Sequence, residues 1–471
     1  MKVLLINPPN ENMITTNIPS VVDEERGFNP PLGLLYVAGY ARAHTKHQIR
    51  VLDCQVEDVT HANLEARLRQ EDADVVGIQA LTFTVIDARL AAEAAKRAKP
   101  SCRVVMGGPH VHIYPRETLS IAAVDYAVKG EGEMPFAELL SALAGERPLD
   151  TVPGLAWRDG KSGMIRDNPA APAIDDLDAL PYPARDLTPV SRYYSILAKR
   201  NPITTMFTSR GCPYRCLFCD RPTMGRRFRS HSAGKVVDEI QECVGLGIRE
   251  FFLYDDTFNV NRKRVFDICD EIKARRLDIS FDIRARADRM DPEMLKALKS
   301  AGCDRIHYGV ESADEGVLAT LLKDLDLGQV QSIFKATRQA GMRTLAYFMI
   351  GNPGEDKAMA LRTIEFAKRL DPDFVHFSIL TPFPATAIYY KALEEGRYTE
   401  DYWAEFARNP TPDFKPRLWE EHMTREELVD LLRKAYKSFY LRPKIVLKNM
   451  PWTSPVDLLR KARAGLKMLR V

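Results

Sequence analysis

Three cysteines, Cys212, Cys216 and Cys219, lie close together in the run Thr208-Ser-Arg-Gly-Cys-Pro-Tyr-Arg-Cys-Leu-Phe-Cys-Asp220. Soft thiolates at spacings of four and three residues can surround one metal centre, and they suit iron or zinc. Iron–sulfur cubanes usually bind four cysteines, but the next cysteine along this chain is Cys243. A cluster held by three thiolates leaves one iron open to a ligand that is not protein.

The pattern Cys212-x-x-x-Cys216-x-Phe218-Cys219 resembles the signature of the radical S-adenosylmethionine (SAM) enzymes. The resemblance implies a [4Fe–4S] cluster whose open iron binds the amino and carboxylate groups of SAM. It also implies that SAM is cleaved to a 5′-deoxyadenosyl radical and that Phe218 packs beside the adenine. The alternative is a zinc site or a redox pair. His231 is then the only nearby candidate for a fourth zinc ligand.

Length and composition favour an intracellular enzyme. The chain has 471 residues, enough for two or three domains, and a net charge of +3, too small to indicate nucleic-acid binding. Its eight cysteines follow no repeating framework, which indicates reduced thiols. There is no run of 18 apolar residues and no signal-peptide pattern. We therefore expect a cytoplasmic protein with a small-molecule substrate and no nucleic-acid partner.

Strands and helices alternate over residues 1–150, which predicts a parallel, doubly wound sheet. Predicted strands are Val3–Ile6, Ile49–Asp53, Val75–Ile78, Val104–Met106 and Tyr126–Val128, with helices within Leu34–Ala43, Leu64–Arg69 and Ala88–Ala98. Ligands of such sheets bind at the carboxyl ends of the strands. The order resembles the cobalamin-binding domain of one radical-SAM class. The resemblance implies cobalamin contacts from the strand-end residues Asn7, Pro8, Pro9, Leu81, Thr82, Gly107, Gly108, Pro109, Gly130 and Glu131.

One feature departs from many cobalamin domains. The stretch after the first strand, Asn7-Pro-Pro-Asn-Glu-Asn12, lacks the histidine that ligates cobalt in Asp-x-His-x-x-Gly proteins. We therefore expect no histidine ligand from this loop. His110 and His112 could approach the ring, but a surface or hydrogen-bonding role is favoured. The alternative for the domain is a Rossmann-like scaffold for a nucleotide, which the absence of Gly-x-Gly-x-x-Gly weakens.

Residues 151–200 are rich in proline and predict a linker that opens with a hairpin turn near Gly160. Residues 201–385 predict six strand–helix units. The predicted strands of these units are Ile203–Thr208, Phe251–Tyr254, Ile279–Ile283, Arg305–Val310, Thr344–Ile350 and Phe374–Leu380. The expected fold is therefore α/β, a Rossmann-like cobalamin-binding domain followed by a (βα)6 partial TIM barrel. The cysteines follow the first barrel strand, where barrel active sites lie.

Later strand ends carry residues that the resemblance assigns to SAM. They are Asp255, Asp256, Arg286, Glu311, Gly351 and Asn352. An acid suits the SAM ammonium and an arginine fork suits its carboxylate. Alternatives remain open at two of them, because Asp256 could be a helix N-cap and Arg286 could form a surface salt bridge.

Residues 386–471 predict a helical C-terminal region that ends in a basic, leucine-striped helix at 455–470. This helix is interpreted either as docked on the body with a solvated basic face or as a peripheral membrane contact.

The combination resembles the cobalamin-binding radical SAM enzymes, a class with methyltransferases and an anaerobic magnesium-protoporphyrin monomethyl ester cyclase. The first hypothesis is methylation of an unactivated carbon, with electrons from an external flavodoxin- or ferredoxin-type donor. The second is a ring-forming or rearranging oxidoreductase without methyl transfer. A third, non-catalytic sensor or electron carrier is disfavoured by the SAM-pocket residues. The sequence names neither the substrate nor the residue that quenches the product radical.

Overall fold

A computed structural model describes residues 1–15, 27–160, 162–219 and 224–445. The strands are β1 Lys2–Asn7, β2 Gly27–Phe28, β3 Gln48–Asp53, β4 Val75–Gln79, β5 Arg103–Gly107, β6 Tyr126–Val128, β7 Leu155–Arg158, β8 Ile165–Asp167, β9 Tyr194–Ser195, β10 Ile203–Met206, β11 Ser209–Arg210, β12 Arg229–Ser230, β13 Glu250–Leu253, β14 Ser280–Ala285, β15 Cys303–Glu311, β16 Arg343–Ile350 and β17 Phe374–Ile379. The helices are α1 Leu32–His44, α2 His61–Glu71, α3 Val85–Ala98, α4 Pro109–Ile113, α5 Pro115–Ser120, α6 Glu133–Leu143, α7 Ala233–Gly245, α8 Arg262–Ala274, α9 Pro292–Ser300, α10 Glu315–Thr320, α11 Leu327–Gln339, α12 Lys357–Leu370, α13 Ala387–Glu394, α14 Tyr402–Arg408 and α15 Arg425–Tyr440.

The N-terminal sheet has the order β3-β1-β4-β5-β6-β7-β8. Its first five strands are parallel, and β7 and β8 add an antiparallel hairpin. In β1, Leu4 and Ile6 pack into the core on one face, and Val3 and Leu5 pack into the core on the other. Apolar side chains on both faces require helices on both faces, as the doubly wound prediction states. The sheet continues past residue 150, because the predicted hairpin turn near Gly160 joins β7 and β8, which are both strands of this sheet.

The predicted linker is more buried than its proline content indicates. Leu177, Leu180, Ala184 and Tyr193 are each at most 3% exposed. The Ala184 N–H donates to the carbonyl of Leu35 in α1 at 3.0 Å, so the segment packs between the two sheets. Its prolines suit such a crossing, since they remove backbone donors that burial would leave without partners.

The second sheet is a half barrel with the order β10-β13-β14-β15-β16-β17, all parallel. This confirms the prediction of six strand–helix units. Side chains alternate along each strand. Phe281, Ile283 and Ala285 of β14 join the core under the outer helices, whereas Asp282 and Arg284 take the inner face. The inner face is therefore polar, unlike that of a closed barrel.

The C-terminal region is helical, as predicted, and α15 packs along the open edge of β17. The Tyr436 hydroxyl bonds both the N–H and the carbonyl of Phe377, and the Tyr440 hydroxyl does the same at Val375. Two tyrosines one helical turn apart thus replace a missing neighbouring strand. In the part of the chain that the structure describes, no helix is both long and apolar enough to cross a membrane. The predicted basic helix at 455–470 lies outside the described residues.

Candidate functional site

The three cysteines lie on one loop that a two-stranded ribbon closes at its base. Strand β11 precedes the loop, β12 follows it, and Arg210 pairs in register with Arg229. At the loop's start, Gly211 has φ +81°, and a Cβ there would lie 2.3 Å from the Arg227 carbonyl oxygen, so only glycine fits. The Cys212 N–H donates to the Gly225 carbonyl at 3.2 Å, which draws the two arms together.

The donor set fits an iron–sulfur cluster. Cys212 is buried, whereas Cys216 and Cys219 are partly exposed. Burial raises the pKa of the Cys216 thiol, and the nearby cations Lys323 and Arg286 oppose that rise. Among the described residues, no three Cys, His, Asp or Glu side chains are already gathered closely enough to hold a metal ion, so a bound cluster would itself draw the thiolates together.

His231, the candidate fourth ligand of a zinc site, has another role in this structure. It is 4% exposed, and its Nδ1 lies 3.3 Å from an Asp178 carboxylate oxygen. Burial lowers the pKa of His231 to about 4, with Asp178 acting in the opposite direction. The histidine therefore joins the predicted linker to the base of the cysteine loop.

Of the two acids after β13, Asp255 is fully buried. It accepts hydrogen bonds from the backbone N–H and the hydroxyl of both Thr208 and Ser209, at 2.6 to 3.0 Å. The carboxylate thus holds the chain that leads into the cysteine loop. Its neighbour Asp256 is exposed, and Thr257 brings its hydroxyl within 3.5 Å of the Cys212 sulfur. SAM binding by either acid stays a prediction, and Asp256 has the more accessible carboxylate.

Glu311 has a partner that the sequence did not indicate. The Lys323 ammonium contacts its carboxylate at 2.5 Å, and the two side chains are 11% and 8% exposed. Both groups pack closely against Gly309, where a Cβ would lie 2.5 Å from Glu311 Oε1 and 2.6 Å from Lys323 Nζ. Glu311 itself has φ +71°, a strained value for a residue with a side chain. Lys323 also lies 5.9 Å from the centre of the Phe218 ring, so this pair borders the cysteine loop.

Arg286 is held by Asp288 through two hydrogen bonds, at 2.9 and 3.0 Å. Its guanidinium stacks on Tyr214 of the cysteine loop at 4.0 Å. The salt-bridge alternative is therefore present in the structure, beside the cysteines rather than at the distant surface. Arg286 as a SAM ligand stays a prediction.

The loop after β16 is shaped for close backbone approach. Gly351 has φ +76°, and a Cβ there would lie 2.8 Å from Leu428. Asn352 is buried; its Nδ2 donates to the Met349 carbonyl, but its Oδ1 has no partner among the described residues. Burial raises the pKa of Glu355 in this loop to about 7. The buried amide oxygen thus lacks a partner in this structure, and SAM binding by Asn352 stays a prediction.

A chamber of about 700 Å³ lies between the N-terminal strand ends and the half barrel. The predicted cobalamin residues in its wall are Asn7, Leu81, Gly107, Gly108, Pro109, Gly130 and Glu131. The structure does not place Pro8, Pro9 and Thr82 in this wall. The barrel contributes Thr205, Phe207, Arg210, Tyr254 and His376, none of which the sequence predicted. Alternate residues of a barrel strand face inward, and this alternation could have indicated Thr205, Tyr254 and His376 from the sequence.

The N-terminal wall fits a large planar ligand. Gly108 has φ +112°, and a Cβ there would meet the Ala80 carbonyl oxygen at 2.8 Å. Gly130 has φ +74°, and among the described residues the atom nearest to such a Cβ is His112 Nδ1 at 4.0 Å, so its backbone has room beside it. Nearby, His110 is fully buried with Nδ1 3.4 Å from the Thr82 hydroxyl, and burial lowers its pKa to about 3. His110 is therefore a neutral, hydrogen-bonded histidine, as the sequence favoured.

Four buried charges connect this wall to the cysteine loop. Arg229 makes two hydrogen bonds to Glu131, at 2.6 and 3.0 Å, and Arg210 bonds Glu133 at 2.5 Å. Their side chains are 3 to 5% exposed. Burial acts to raise the pKa of Glu131, but Arg229 and Arg210 hold it below its usual range. The two arginines of the ribbon and the two glutamates of the chamber wall thus form one unit, hereafter the four-charge bridge.

Comparison with known proteins agrees with this arrangement. The B12 binding domain family matches residues 20–140, and the Radical SAM superfamily matches residues 206–367. An uncharacterized methyltransferase of Pyrococcus horikoshii is 36% identical over 96% of this chain and 95% of its own length. The anaerobic magnesium-protoporphyrin IX monomethyl ester cyclase of Cereibacter sphaeroides is 29% identical over 96% of this chain and 72% of its own length.

Among solved structures, the cobalamin-dependent SAM radical enzyme OxsB, with aqua-cobalamin and SAM bound, has the same fold. The TM-score is 0.74 at 17% identity, over 99% of this chain and 72% of that one. A half barrel with a three-cysteine loop, facing a glycine-lined doubly wound domain, defines a cobalamin-binding radical SAM enzyme. The chain belongs to this family. The predicted cofactors, a [4Fe–4S] cluster, SAM and cobalamin, are confirmed, and the sensor hypothesis gives way to an enzyme.

Proposed function

We propose that this chain methylates an unactivated carbon of a small-molecule substrate. The observation that carries the proposal is the shared chamber, whose walls come from the glycine-rich strand ends on one side and from the barrel on the other. When bound, the cluster with SAM supplies a 5′-deoxyadenosyl radical that removes a hydrogen atom, and cobalamin supplies the methyl group that replaces it. The name of the 36% identical relative supports methyl transfer as the reaction.

The chain's own residues have three tasks in this chemistry. Asp255 fixes the segment that leads into the cysteine loop. The four-charge bridge holds that loop against the chamber wall. Apolar side chains such as Ile14, Phe83 and Phe207 line the chamber and would keep water away from the reacting groups.

The test is product mass after anaerobic reaction of the reconstituted enzyme with trideuteromethyl-SAM and a metabolite extract. Each turnover should give methylated substrate, S-adenosylhomocysteine, 5′-deoxyadenosine and methionine, with two electrons from a reductant balancing the reaction. A trideuteromethyl group in place of one hydrogen supports the proposal. The Cys212→Ala/Cys216→Ala/Cys219→Ala variant should give neither labelled product nor 5′-deoxyadenosine.

The likeness to the Cereibacter cyclase, over nearly the whole chain, favours a second candidate. This is a ring-forming or rearranging oxidoreductase that uses the same chamber without methyl transfer. It predicts 5′-deoxyadenosine and a modified product that carries no label from SAM, which would contradict the first proposal.

We place the enzyme in the cytoplasm, with electrons from an acidic flavodoxin- or ferredoxin-type donor. The exposed side of the cysteine loop carries Arg215, Arg226 and Arg227, which complement an acidic partner. Reversing two of these charges, Arg215→Glu with Arg226→Glu, should slow flavodoxin-driven SAM cleavage. Cleavage driven by dithionite should not change, and an equal loss with both reductants would contradict this docking face.

The predicted basic helix at 455–470 leads to a separate proposal of peripheral membrane contact. Basic residues near an anionic surface contribute about 1 kcal/mol each, and binding should weaken in high salt. Truncation after Met450 should release the protein from anionic vesicles and leave iron and cobalamin contents unchanged. Aggregated or cofactor-poor truncated protein would show that the segment is structural.

A further inference from the structure

Among the described residues of the half barrel's inner face, one guanidinium has no carboxylate partner. Among the described residues of this face, the other arginines each contact an acid: Arg305 pairs with Asp282, Arg343 with Asp304 and Arg286 with Asp288. Arg284, from strand β14, has no such partner within ion-pair distance in the part of the chain that the structure describes. It is half-buried, although it lies inside the barrel, so accessible space reaches it.

The surroundings of Arg284 orient this charge without neutralising it. Its guanidinium stacks on the Tyr254 ring at 4.2 Å, and Tyr254 is part of the chamber wall. Arg305 Nε donates to His307 Nε2 at 3.1 Å, so the neutral ring carries its proton on Nδ1 and donates it to the Tyr347 hydroxyl at 3.1 Å. Burial lowers the pKa of His307 to about 4. His307 is therefore neutral at physiological pH, and the carboxylate on the same strand face, Asp282, is already paired with Arg305.

A cation in a half-buried polar layer is costly unless an anion meets it. The planar fork of arginine matches the two oxygens of a carboxylate or a phosphate, and an aromatic ring beneath it restricts its rotation. Tyr254 and His376 of this layer line the chamber, and Arg284 adjoins that wall through its stacking on Tyr254. The charged groups nearer the cysteines, Glu311 with Lys323 and Arg286 with Asp288, are already paired.

We propose that Arg284 binds an anionic group of the substrate, a carboxylate or a phosphate, with Tyr254 beneath it. The substrate class is thus a small acid or phosphorylated molecule, which rests on the proposed function of the chamber. The anion would be held at the barrel layer, leaving the remainder of the molecule toward the cysteine loop and the N-terminal wall. The aromatic and histidine side chains of the layer then determine which substrates fit.

The experiment measures anion binding directly, in protein loaded with cluster, SAM and cobalamin. Inorganic phosphate is followed by phosphorus NMR line broadening and acetate by proton saturation transfer. Saturable binding of at least one anion is expected, weakened by about tenfold or more in Arg284→Met and partly restored in Arg284→Lys. The matched control is Arg262→Met, because Arg262 also stacks on a ring, Phe266 at 4.6 Å, but on the outer surface. Its anion binding should equal that of the wild type.

The results distinguish a phosphorylated substrate from a carboxylate substrate, and a substrate-binding role of Arg284 from a cofactor-binding role. Preference for phosphate indicates a phosphorylated substrate, and preference for acetate indicates a carboxylate. Equal binding by the wild type and Arg284→Met, or no saturable binding, overturns the proposal. A tenfold loss of SAM or cobalamin binding in Arg284→Met also overturns it, because the arginine would then serve a cofactor. None of these readouts requires turnover, so failure of methyl transfer would not affect them.

Discussion

The buried pair Glu311–Lys323 shows how a single charge can depend on its partner. Both groups are nearly dehydrated beside the cysteine loop. Lys323→Met should leave Glu311 as an uncompensated buried charge and cost about 3 kcal/mol or more of stability. The urea midpoint of cofactor-free protein measures this loss. Glu311→Gln combined with Lys323→Met should recover most of it, and Lys263→Met, at an exposed pair with Asp267, should change nothing measurable. An unchanged midpoint in Lys323→Met would contradict a dehydrated pair.

Glu355 gives a pH dependence with a definite sign. Burial raises the pKa of Glu355 from an ordinary 4.5 to about 7. Between pH 4.5 and pH 7, the folded state therefore keeps a proton that the unfolded state has lost. The contribution of neutral Glu355 is full below about pH 4.5 and is lost as the pH rises through 7. At about 1.4 kcal/mol per pKa unit, the loss is on the order of 3 kcal/mol.

Glu355→Gln removes this titration. The free energy of unfolding of the variant minus that of the wild type should be more favourable at pH 8 than at pH 5. Urea unfolding of both proteins at both pH values measures this difference. A difference between the two proteins that does not vary with pH would show that Glu355 titrates normally.

The sequence predicted the cysteine loop and its place after the first barrel strand, because both follow from local spacing. It did not predict Lys323 as the partner of Glu311, since the lysine lies beyond a helix and its direction depends on a turn with Leu322 at φ +52°. Arg284 was visible as a residue, but its lack of an acid could be known only after every neighbour was placed. Side-chain partners across elements are set by packing rather than by local pattern.

Helix α15 shows how one element completes another. Strand β17 is the last of its sheet, and its outer backbone groups are met by the hydroxyls of Tyr436 and Tyr440. Tyr436→Phe with Tyr440→Phe should leave these groups without partners and cost about 1–3 kcal/mol for each hydroxyl lost. An uncovered edge strand should also promote aggregation.

Thermal unfolding and light scattering test this role. Tyr390→Phe is the matched control, because Tyr390 is 53% exposed and its hydroxyl covers no strand edge. If the double variant behaves like this control, α15 covers the edge through apolar packing alone.

Strand boundaries were predicted to within a few residues because the apolar runs are continuous in buried parallel strands. Tyr126–Val128 coincides with β6, and Phe374–Leu380 extends β17 by one residue. The burial of Leu177, Leu180, Ala184 and Tyr193 could not be predicted, because it depends on the packing of the linker between two separate sheets.

The four-charge bridge ties the two domains together across the chamber. Glu131 and Glu133 come from the N-terminal wall, and Arg210 and Arg229 close the cysteine loop. Loading the cluster should therefore strengthen cobalamin binding, by about fivefold or more, because an ordered loop holds the arginines in place. In Glu131→Gln, the ratio of the cobalamin affinities with and without the cluster should fall toward one.

Equilibrium dialysis of cobalamin against cluster-loaded and cluster-free protein gives the ratio. Arg227→Gln is the control, since its ion pair with Asp175 lies on the same loop but is 64 to 70% exposed. A Glu131→Gln protein that keeps the wild-type ratio would show that the bridge only stabilises the fold.

The central claim is that the cluster and cobalamin act in one chamber between the two domains. The most direct test is electron paramagnetic resonance of protein that holds both a reduced cluster and Co(II) cobalamin. The claim predicts magnetic interaction between the two centres, seen as broadening or splitting that disappears in the Cys212→Ala/Cys216→Ala/Cys219→Ala variant. A spectrum equal to the sum of the two separate signals would contradict it.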